Sequence, residues 1–381
     1  MNTVAIIAPQ YPNDIRIYKE VNTLKNIYDI HIFLTDTRKT HPHQESLDDV
    51  TVYRFKHTSS SHTIIKYARS FLRYLCITRA AIASSPRICH VHDFPLLFSG
   101  ILIKLFTGST LIYDAHEDFA SMIFQNNTKK IFIFRKIELL LVKLCVDRVI
   151  TVNTSLQSYF LTSGVATSVL MNVPLLSLQP EKKKRSPSRK VIIGYIGHII
   201  PGRGYDTLPS LCNHLKNSLL FNILIVGGGP FKEGFEGLIK EQGVCEYFTI
   251  TGEVPHHKIP AYLAQMDIGL VLFKPVRYNN LIATPNKLFE YMAFGIPIIA
   301  SDLPEMRKIV RTTQSGLLVD PNQVTEIVES IVYLCEHPEE AREMGRNGKK
   351  AFQTTYNWDA QSGKLLRIYA EAANEKPRRN P

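Results

Sequence analysis

Ala283-Thr284-Pro285-Asn286-Lys287-Leu288-Phe289-Glu290-Tyr291-Met292-Ala293-Phe294-Gly295-Ile296-Pro297-Ile298-Ile299-Ala300-Ser301 carries a helix start, two opposite charges and a buried strand in one short run. Thr284 suits an N-cap, and Pro285 suits the first helical position, where a missing N–H costs nothing. Lys287 and Glu290, three residues apart, share a helical face. Gly295 closes the helix, Pro297 prevents its resumption, and Ile298-Ile299-Ala300 follows as a short central strand. Free N–H groups at the helix start, an ammonium and a carboxylate together suit a nucleoside diphosphate with its ribose diol. The competing reading is an ordinary α/β helix with a surface Lys–Glu pair.

On either side of this stretch, strands alternate with helices. Before it come strands at Val191 to Ile196, Phe221 to Val226, Phe248 to Ile250 and Ile268 to Phe273, with helices at Tyr205 to Leu215, Phe235 to Gln242 and Ile259 to Ala264. After it come an edge-like strand at Leu317-Leu318-Val319 and helices from Val324, Pro338 and Asp359 onward. The N-terminal half repeats the pattern, with strands at Val4 to Ala8, Ile30 to Leu34, Val50 to Phe55, Ile88 to Val91, Thr110 to Tyr113, Arg148 to Val152 and Ser168 to Met171. Helices at Ile17 to Asn26, Ile64 to Ala83 and Ile131 to Val146 lie between them. Strands joined by crossover helices imply mostly parallel sheets covered on both faces. Between the halves, the polar run Glu181-Lys182-Lys183-Lys184-Arg185-Ser186-Pro187-Ser188-Arg189-Lys190 cannot build a core. The expected domains are therefore 1–175 and 191–355, joined by a linker at 176–190, with 356–381 packing back toward the first. Two such domains facing each other would place the carboxyl ends of both sheets around a central cleft.

At 381 residues and 45% hydrophobic content, the chain can build two cores. Six scattered cysteines without CxxC spacing suggest isolated core thiols in a reducing compartment. The opening Val4-Ala5-Ile6-Ile7-Ala8 is too short for a signal-peptide core, and no run is long enough to cross a bilayer. A cytoplasmic protein is expected, peripheral at the membrane. The net charge of +11 is concentrated between Arg54 and Arg148. There, segments 64–79 and 129–148 mix Lys and Arg with apolar bulk, either as helices for an anionic membrane surface or as core-facing helices with a solvated rim. No nucleic-acid module accompanies them.

Several loops carry chemistry. Gly194-Tyr195-Ile196-Gly197-His198-Ile199-Ile200-Pro201-Gly202-Arg203-Gly204 leaves a first strand through glycines that allow close approach to a ligand, and Arg203 supplies a permanently charged fork. Gly227-Gly228-Gly229-Pro230 is a second close-approach loop. It lacks the GxGxxG spacing and the later acid of an NAD site. In the first half, Asn13-Asp14-Ile15-Arg16, His92-Asp93 and Asp114-Ala115-His116-Glu117-Asp118 stand at strand ends, too polar for packing alone. Asp93 and Asp114 could instead cap helices. His116 can donate to or accept from a sugar hydroxyl.

With these motifs in place, the chain resembles the GT-B glycosyltransferases of the retaining family 4 type over essentially its whole length. The residues that carry the resemblance are Asp14-Ile15-Arg16 with Lys19-Glu20, His92-Asp93, Tyr113 to Glu117, Gly197 to Gly204, Ile225 to Pro230, Pro285 to Pro297 and Ser315 to Val319. The resemblance implies two Rossmann-like domains, a nucleotide-sugar donor with UDP or GDP and a glycan or lipid-linked acceptor, with no metal and no other cofactor. It makes His116, Arg203 and Lys287 the catalytic set. Arg203 and Lys287 would hold the diphosphate, Glu290 would accept from the ribose, and His116 would touch the sugar. Gly197, His198, Gly228, Asn286 and Leu288 complete the nucleotide side; Asp14, Arg16, His92, Asp93 and Glu117 lie on the acceptor side. Two positions depart from the family. His198 replaces an expected arginine, and Ile282 stands eight before Glu290, where the family's paired-glutamate motif has its first acid. The loop Lys274 to Asn280 could supply replacement contacts. The implied product is a cell-surface polysaccharide or glycolipid. The alternatives are an inverting transferase using Asp93 or Glu117 as base, a nucleotide-sugar epimerase, and a catalytically weak glycan- or membrane-binding module.

Overall fold

The computed structural model describes residues 2–35, 43–55, 63–125, 127–175 and 190–374, without the side chains of 63–68. The linker expected at 176–190 therefore falls, but for Lys190, outside the described residues, and the first residues of basic segment 64–79 are described by their backbone alone.

The chain forms two compact units, Met1–Asn172 with Gln361–Pro381, and Val173–Ala360. In the first, eight strands are described: β1 (Thr3–Ala8), β2 (Asp29–Leu34), β3 (Gln44–Leu47), β4 (Val50–Arg54), β5 (Ile88–His92), β6 (Thr110–Ala115), β7 (Arg148–Thr151) and β8 (Ala166–Val169). Their order is β3-β4-β2-β1-β5-β6-β7-β8. All neighbours pair in parallel except β3 with β4. Strands buried on both faces need continuous apolar runs, and Val4 to Ala8 are all fully buried. Strand order reverses at β1, which is flanked by β2 and β5, so the crevice beyond the ends of β1, β5 and β6 is a binding position by topology.

The second unit contains β9 (Val191–Ile196), β10 (Phe221–Val226), β11 (Phe248–Ile250), β12 (Ile268–Val271), β13 (Ile298–Ser301) and β14 (Gly316–Val319). Its order, β11-β10-β9-β12-β13-β14, reverses at β9. One core, from Val191 to Leu334, fills this sheet and its helices. The last helix, Trp358–Asn374, starts in the second unit, and its residues from Gln361 belong to the first. There Tyr369 Oη shares a 2.7 Å hydrogen bond with His90, and Glu371 pairs with Arg148 at 2.7 Å.

Several elements correct the sequence reading. The key helix runs Asn286–Ala293 with Pro285, not Thr284, at its N-cap, because Pro285 is extended at ψ 138°. Its following strand, β13, is next to the edge and not central. Helices at Phe94–Thr107 and Pro304–Thr313 and strand β3 were missed, and β8 lies at Ala166–Val169. Cys76 and Cys245 are exposed, so only some of the six free thiols are core residues.

Candidate functional site

The candidate side chains gather at the switch point of each sheet. In the second unit the Asn286–Ala293 helix is set against β9 by Tyr291. Its hydroxyl donates to Gly194 O at 3.0 Å and accepts from Ile196 N at 3.1 Å. The ring fits because Gly269 has no Cβ; one would stand 2.5 Å from it. Lys287 is thereby carried inward, 5% exposed, with Nζ 3.8 Å from the centroid of Tyr195 and 5.7 Å from that of Phe273. Nζ has no hydrogen-bond partner. Burial, reinforced by the charge of Arg203, pushes its pKa well below the usual lysine value, although Glu290 opposes the shift. Arg203 lies over the same Phe273 ring at 4.6 Å. Two basic side chains therefore gather around one aromatic ring, an arrangement that suits an anionic ligand.

Glycines shape the floor of this site. A Cβ on Gly227 would stand 2.2 Å from Gly197 O, and one on Gly197 would face Lys287 Nζ at 3.9 Å. Gly204, at φ +78°, presses on Leu272 O, which would be 1.9 Å from a Cβ. Ile199 N donates to Gly228 O at 2.7 Å and ties the two loops together. Glu290 is buried beside the helix start, with His256 Nε2 4.0 Å from Oε1. Asn286 and His198 are exposed. Leu288 is placed differently from its expected role: its side chain is fully buried, and its N–H already donates to Pro285 O at 3.0 Å. Ile282 is a core residue. The loop before it braces the turn that carries Arg203, since Asn280 Nδ2 donates to Gly202 O at 2.9 Å. Asn280 belongs to the loop expected to supply contacts, whereas Tyr195, Phe273 and Tyr291 were not anticipated as site residues; Gly194 and Gly269, glycines inside strands, were the available signal of close packing.

In the first unit, charges gather beyond β1, β5 and β6. Arg16 is 3% exposed and reaches Asp114 through Nε at 3.0 Å and Nη2 at 2.7 Å, and Leu170 O through Nη1 at 2.9 Å. Asp114 is thus an ion-pair partner and not a helix cap. Burial alone would raise its pKa, but Arg16 and then His116 hold it well below the usual carboxylate range. Arg16 and His92, expected on the acceptor side, are buried supports. Asp14 caps the Ile15–Leu24 helix by accepting from the N–H groups of Arg16 and Ile17. Asp93 precedes the Phe94–Thr107 helix at φ +63° without a side-chain cap bond. Its Oδ1 accepts instead from His116 N at 3.1 Å. Glu117 is exposed.

Glu20, His90, His92 and Asp114 bring potential metal-ligand atoms within 4.8 Å of one another. Arg16 occupies this cluster: its Nε is 3.1 Å from Glu20 Oε1, and Asp114 Oδ2 already receives two of its nitrogens. A divalent ion would have to displace or repel that guanidinium, so the donor set does not suit one. Burial instead raises the Glu20 pKa to about 8 and lowers that of His90 to about 4.

The sequence profile of the family described as Glycosyl transferases group 1 matches residues 179–351. The chain is 28% identical over 214 residues to a GDP-mannose-dependent alpha-(1-6)-phosphatidylinositol monomannoside mannosyltransferase of Mycobacterium tuberculosis, covering 54% of each chain. It is 24% identical over 288 residues to the phosphatidylinositol N-acetylglucosaminyltransferase GPI3 subunit of Saccharomyces cerevisiae, covering 68% of this chain and 60% of that one. The chain thus spans little more than half the length of these relatives. Among solved structures, a sucrose-phosphate synthase from Thermosynechococcus elongatus superposes with a TM-score of 0.81 at 18% identity, over 97% of this chain and 99% of that one. HepE of Anabaena, in complex with UDP, superposes with a TM-score of 0.75 at 14% identity, over 97% and 100%.

Proposed function

We propose that this chain, a GT-B fold protein related to the GT4 nucleotide-sugar transferases, moves a sugar from a nucleotide-sugar donor to a glycan or lipid-linked acceptor. One observation carries this reading: a buried lysine with no hydrogen-bond partner faces the Gly197 turn beside an arginine. Burial pushes an unpaired amine toward its neutral form, and a bound anion restores its charge, so such a lysine is poised to bind an anion. Lys287 and Arg203 hold the donor diphosphate, with Gly197, His198, Gly228 and Asn286 around it, and Glu290 accepts from the ribose hydroxyls. UDP and GDP are the favoured bases, since one relative is named GDP-mannose-dependent and HepE was solved with UDP.

In this reaction the bond from the anomeric carbon to the diphosphate oxygen breaks while a bond to the acceptor oxygen forms on the same face. The acceptor proton passes to the departing phosphate oxygen. A guanidinium and an ammonium fixed in advance stabilise the leaving group as charge develops there, so no metal is needed. The chain divides into an acceptor domain (1–175), a linker (176–190), a donor domain (191–355) and a returning segment (356–381). His116 contacts the transferred sugar; Asp93, Glu117 and Asp14 lie toward the acceptor, supported by Arg16 and His92.

The protein works at the cytoplasmic face of a membrane. Among the described residues no helix is long and apolar enough to cross one. The Thr128–Cys145 helix nevertheless exposes Ile133, Ile137, Leu140 and Leu144 on one face, beside exposed Lys136 and Lys143. The earlier Phe94–Thr107 helix adds Phe98 and Phe106, which are 59% and 73% exposed.

The deciding experiment incubates the protein with UDP-, GDP-, dTDP- and ADP-sugars and lipid or glycan acceptors, then determines the product anomer by NMR. Turnover in the presence of EDTA with retained configuration is expected. Donor consumption without acceptor would mark an epimerase, and an inverted product would replace the same-face route.

A further inference from the structure

We infer that His116 is a locked imidazolium, with Asp93 and Asp114 as positioning residues that keep both ring nitrogens as donors, so that the ring offers a fixed positive N–H to the substrate and cannot take the acceptor's proton. The consequence for catalysis rests on the glycosyl-transfer reading; the protonation state itself does not.

The ring is held from three sides. Nε2 lies 3.3 Å from Asp114 Oδ2 and 3.2 Å from His92 Nδ1. His92 is fully buried, and burial, with His90 beside it, keeps it neutral, so its Nδ1 can accept from His116 while its Nε2 faces Glu20 Oε2 at 3.6 Å. Asp114 is anchored by Arg16 and stays ionised. On the other side of the ring, Nδ1 faces Asp93 Oδ2 at 3.6 Å. That distance is too long for a hydrogen bond, which leaves the Nδ1 proton for a substrate oxygen.

Asp93 is held for this task at a backbone cost. It sits at φ +63° and ψ 159°, a region that belongs essentially to glycine. A bond from its N–H to Asp114 O at 2.9 Å and the His116 N–H on its Oδ1 fix that conformation. The groups facing the ring are Asp93, Asp114, His92, Arg16, Glu20 and His90. Burial alone would lower the His116 pKa, but Asp114 and then Asp93 overcome it and raise it to about 9. A group already protonated at neutral pH is no general base. The acceptor proton must then leave by another route, and the departing diphosphate is the route that retention uses.

The test is long-range 1H–15N NMR of the full chain labelled at histidine, with the His116 signals assigned by their loss in His116→Gln. Two protonated ring nitrogens at about pH 7 and a titration midpoint near 9 are expected. Asp93→Asn, which tolerates the same backbone, should move that midpoint down by about one unit or more. One bare nitrogen at neutral pH, or a midpoint unmoved in Asp93→Asn, overturns the assignment. The spectra are taken without donor or acceptor. A locked ring in a protein that turns over no nucleotide sugar would refute the transfer reading alone, and a neutral ring in an active enzyme would refute this one alone.

Discussion

Arg16 and Lys287 are both cations buried beneath a sheet switch point, 3% and 5% exposed, and they are treated in opposite ways. Arg16 is gripped by Asp114 and lies beside Glu20, so its charge is spent within the first unit. Lys287 meets aromatic faces and glycines, and no hydrogen-bond acceptor reaches its Nζ. A buried charge with its partner present is structural, whereas one left without a partner stores attraction for a ligand. On the proposed function, the first unit builds a rigid support and the second builds a receptor.

The comparison breaks most visibly if the partners are removed. Asp114→Ala strips Arg16 of its main ion-pair partner and leaves only Glu20 and the Leu170 carbonyl beside it, and unfolding in urea should reveal a loss of about 3 kcal/mol. A near-neutral result would mean that the guanidinium finds water and that the support is soft. Lys287→Met removes a cation without orphaning an acceptor, so stability should hold or rise. With the same substitution kcat/KM should fall about 10²–10³-fold, as for the loss of one preorganised donor to developing charge. If Lys287→Met unfolds the protein as Asp114→Ala does, the two lysine and arginine sites are alike and the receptor reading fails. A nucleoside diphosphate at about 100 times its Kd should stabilise the wild type by about 2.7 kcal/mol in thermal unfolding. That gain should vanish in Lys287→Met and survive in Asp93→Asn.

The receptor was far more legible in the sequence than the support. Arg203, the glycine loops and Lys287 lie within or next to short motifs whose spacing encodes a strand end and a helix start. Arg16 and Asp114 are 98 positions apart, and His90 and Tyr369 are 279 apart. No local pattern marks such partners, which is why Arg16 and His92 seemed to face the acceptor. Strands of consecutive β-branched residues were found to within a residue or two. Strand β3, Gln44-Glu45-Ser46-Leu47, has no apolar signal and forms only because β4 offers it an edge. The Phe94–Thr107 helix is apolar nearly all round, so it shows no helical period to detect. Thr284 and Pro285 do suit a helix start, but the extended Pro285 delays it to Asn286.

The smallest effect concerns the outer face of the first unit. Exposed Ile133, Ile137, Leu140 and Leu144 fall on one stripe of a helix that also carries exposed Lys129, Lys130, Lys136 and Lys143. Apolar burial alone would hold this helix on any bilayer, whereas lysines near the surface add about 1 kcal/mol each only when the lipids are anionic. Sedimentation with anionic vesicles should therefore weaken by about fivefold for each of Lys129→Gln and Lys130→Gln, and it should weaken with salt, because surface charges are screened beyond a Debye length. Neither substitution touches the cluster around Arg16 or the site around Lys287, so turnover of a water-soluble acceptor should stay constant. Equal binding to neutral vesicles would assign the attachment to the apolar stripe alone and leave the basic excess of this unit without a role at the membrane.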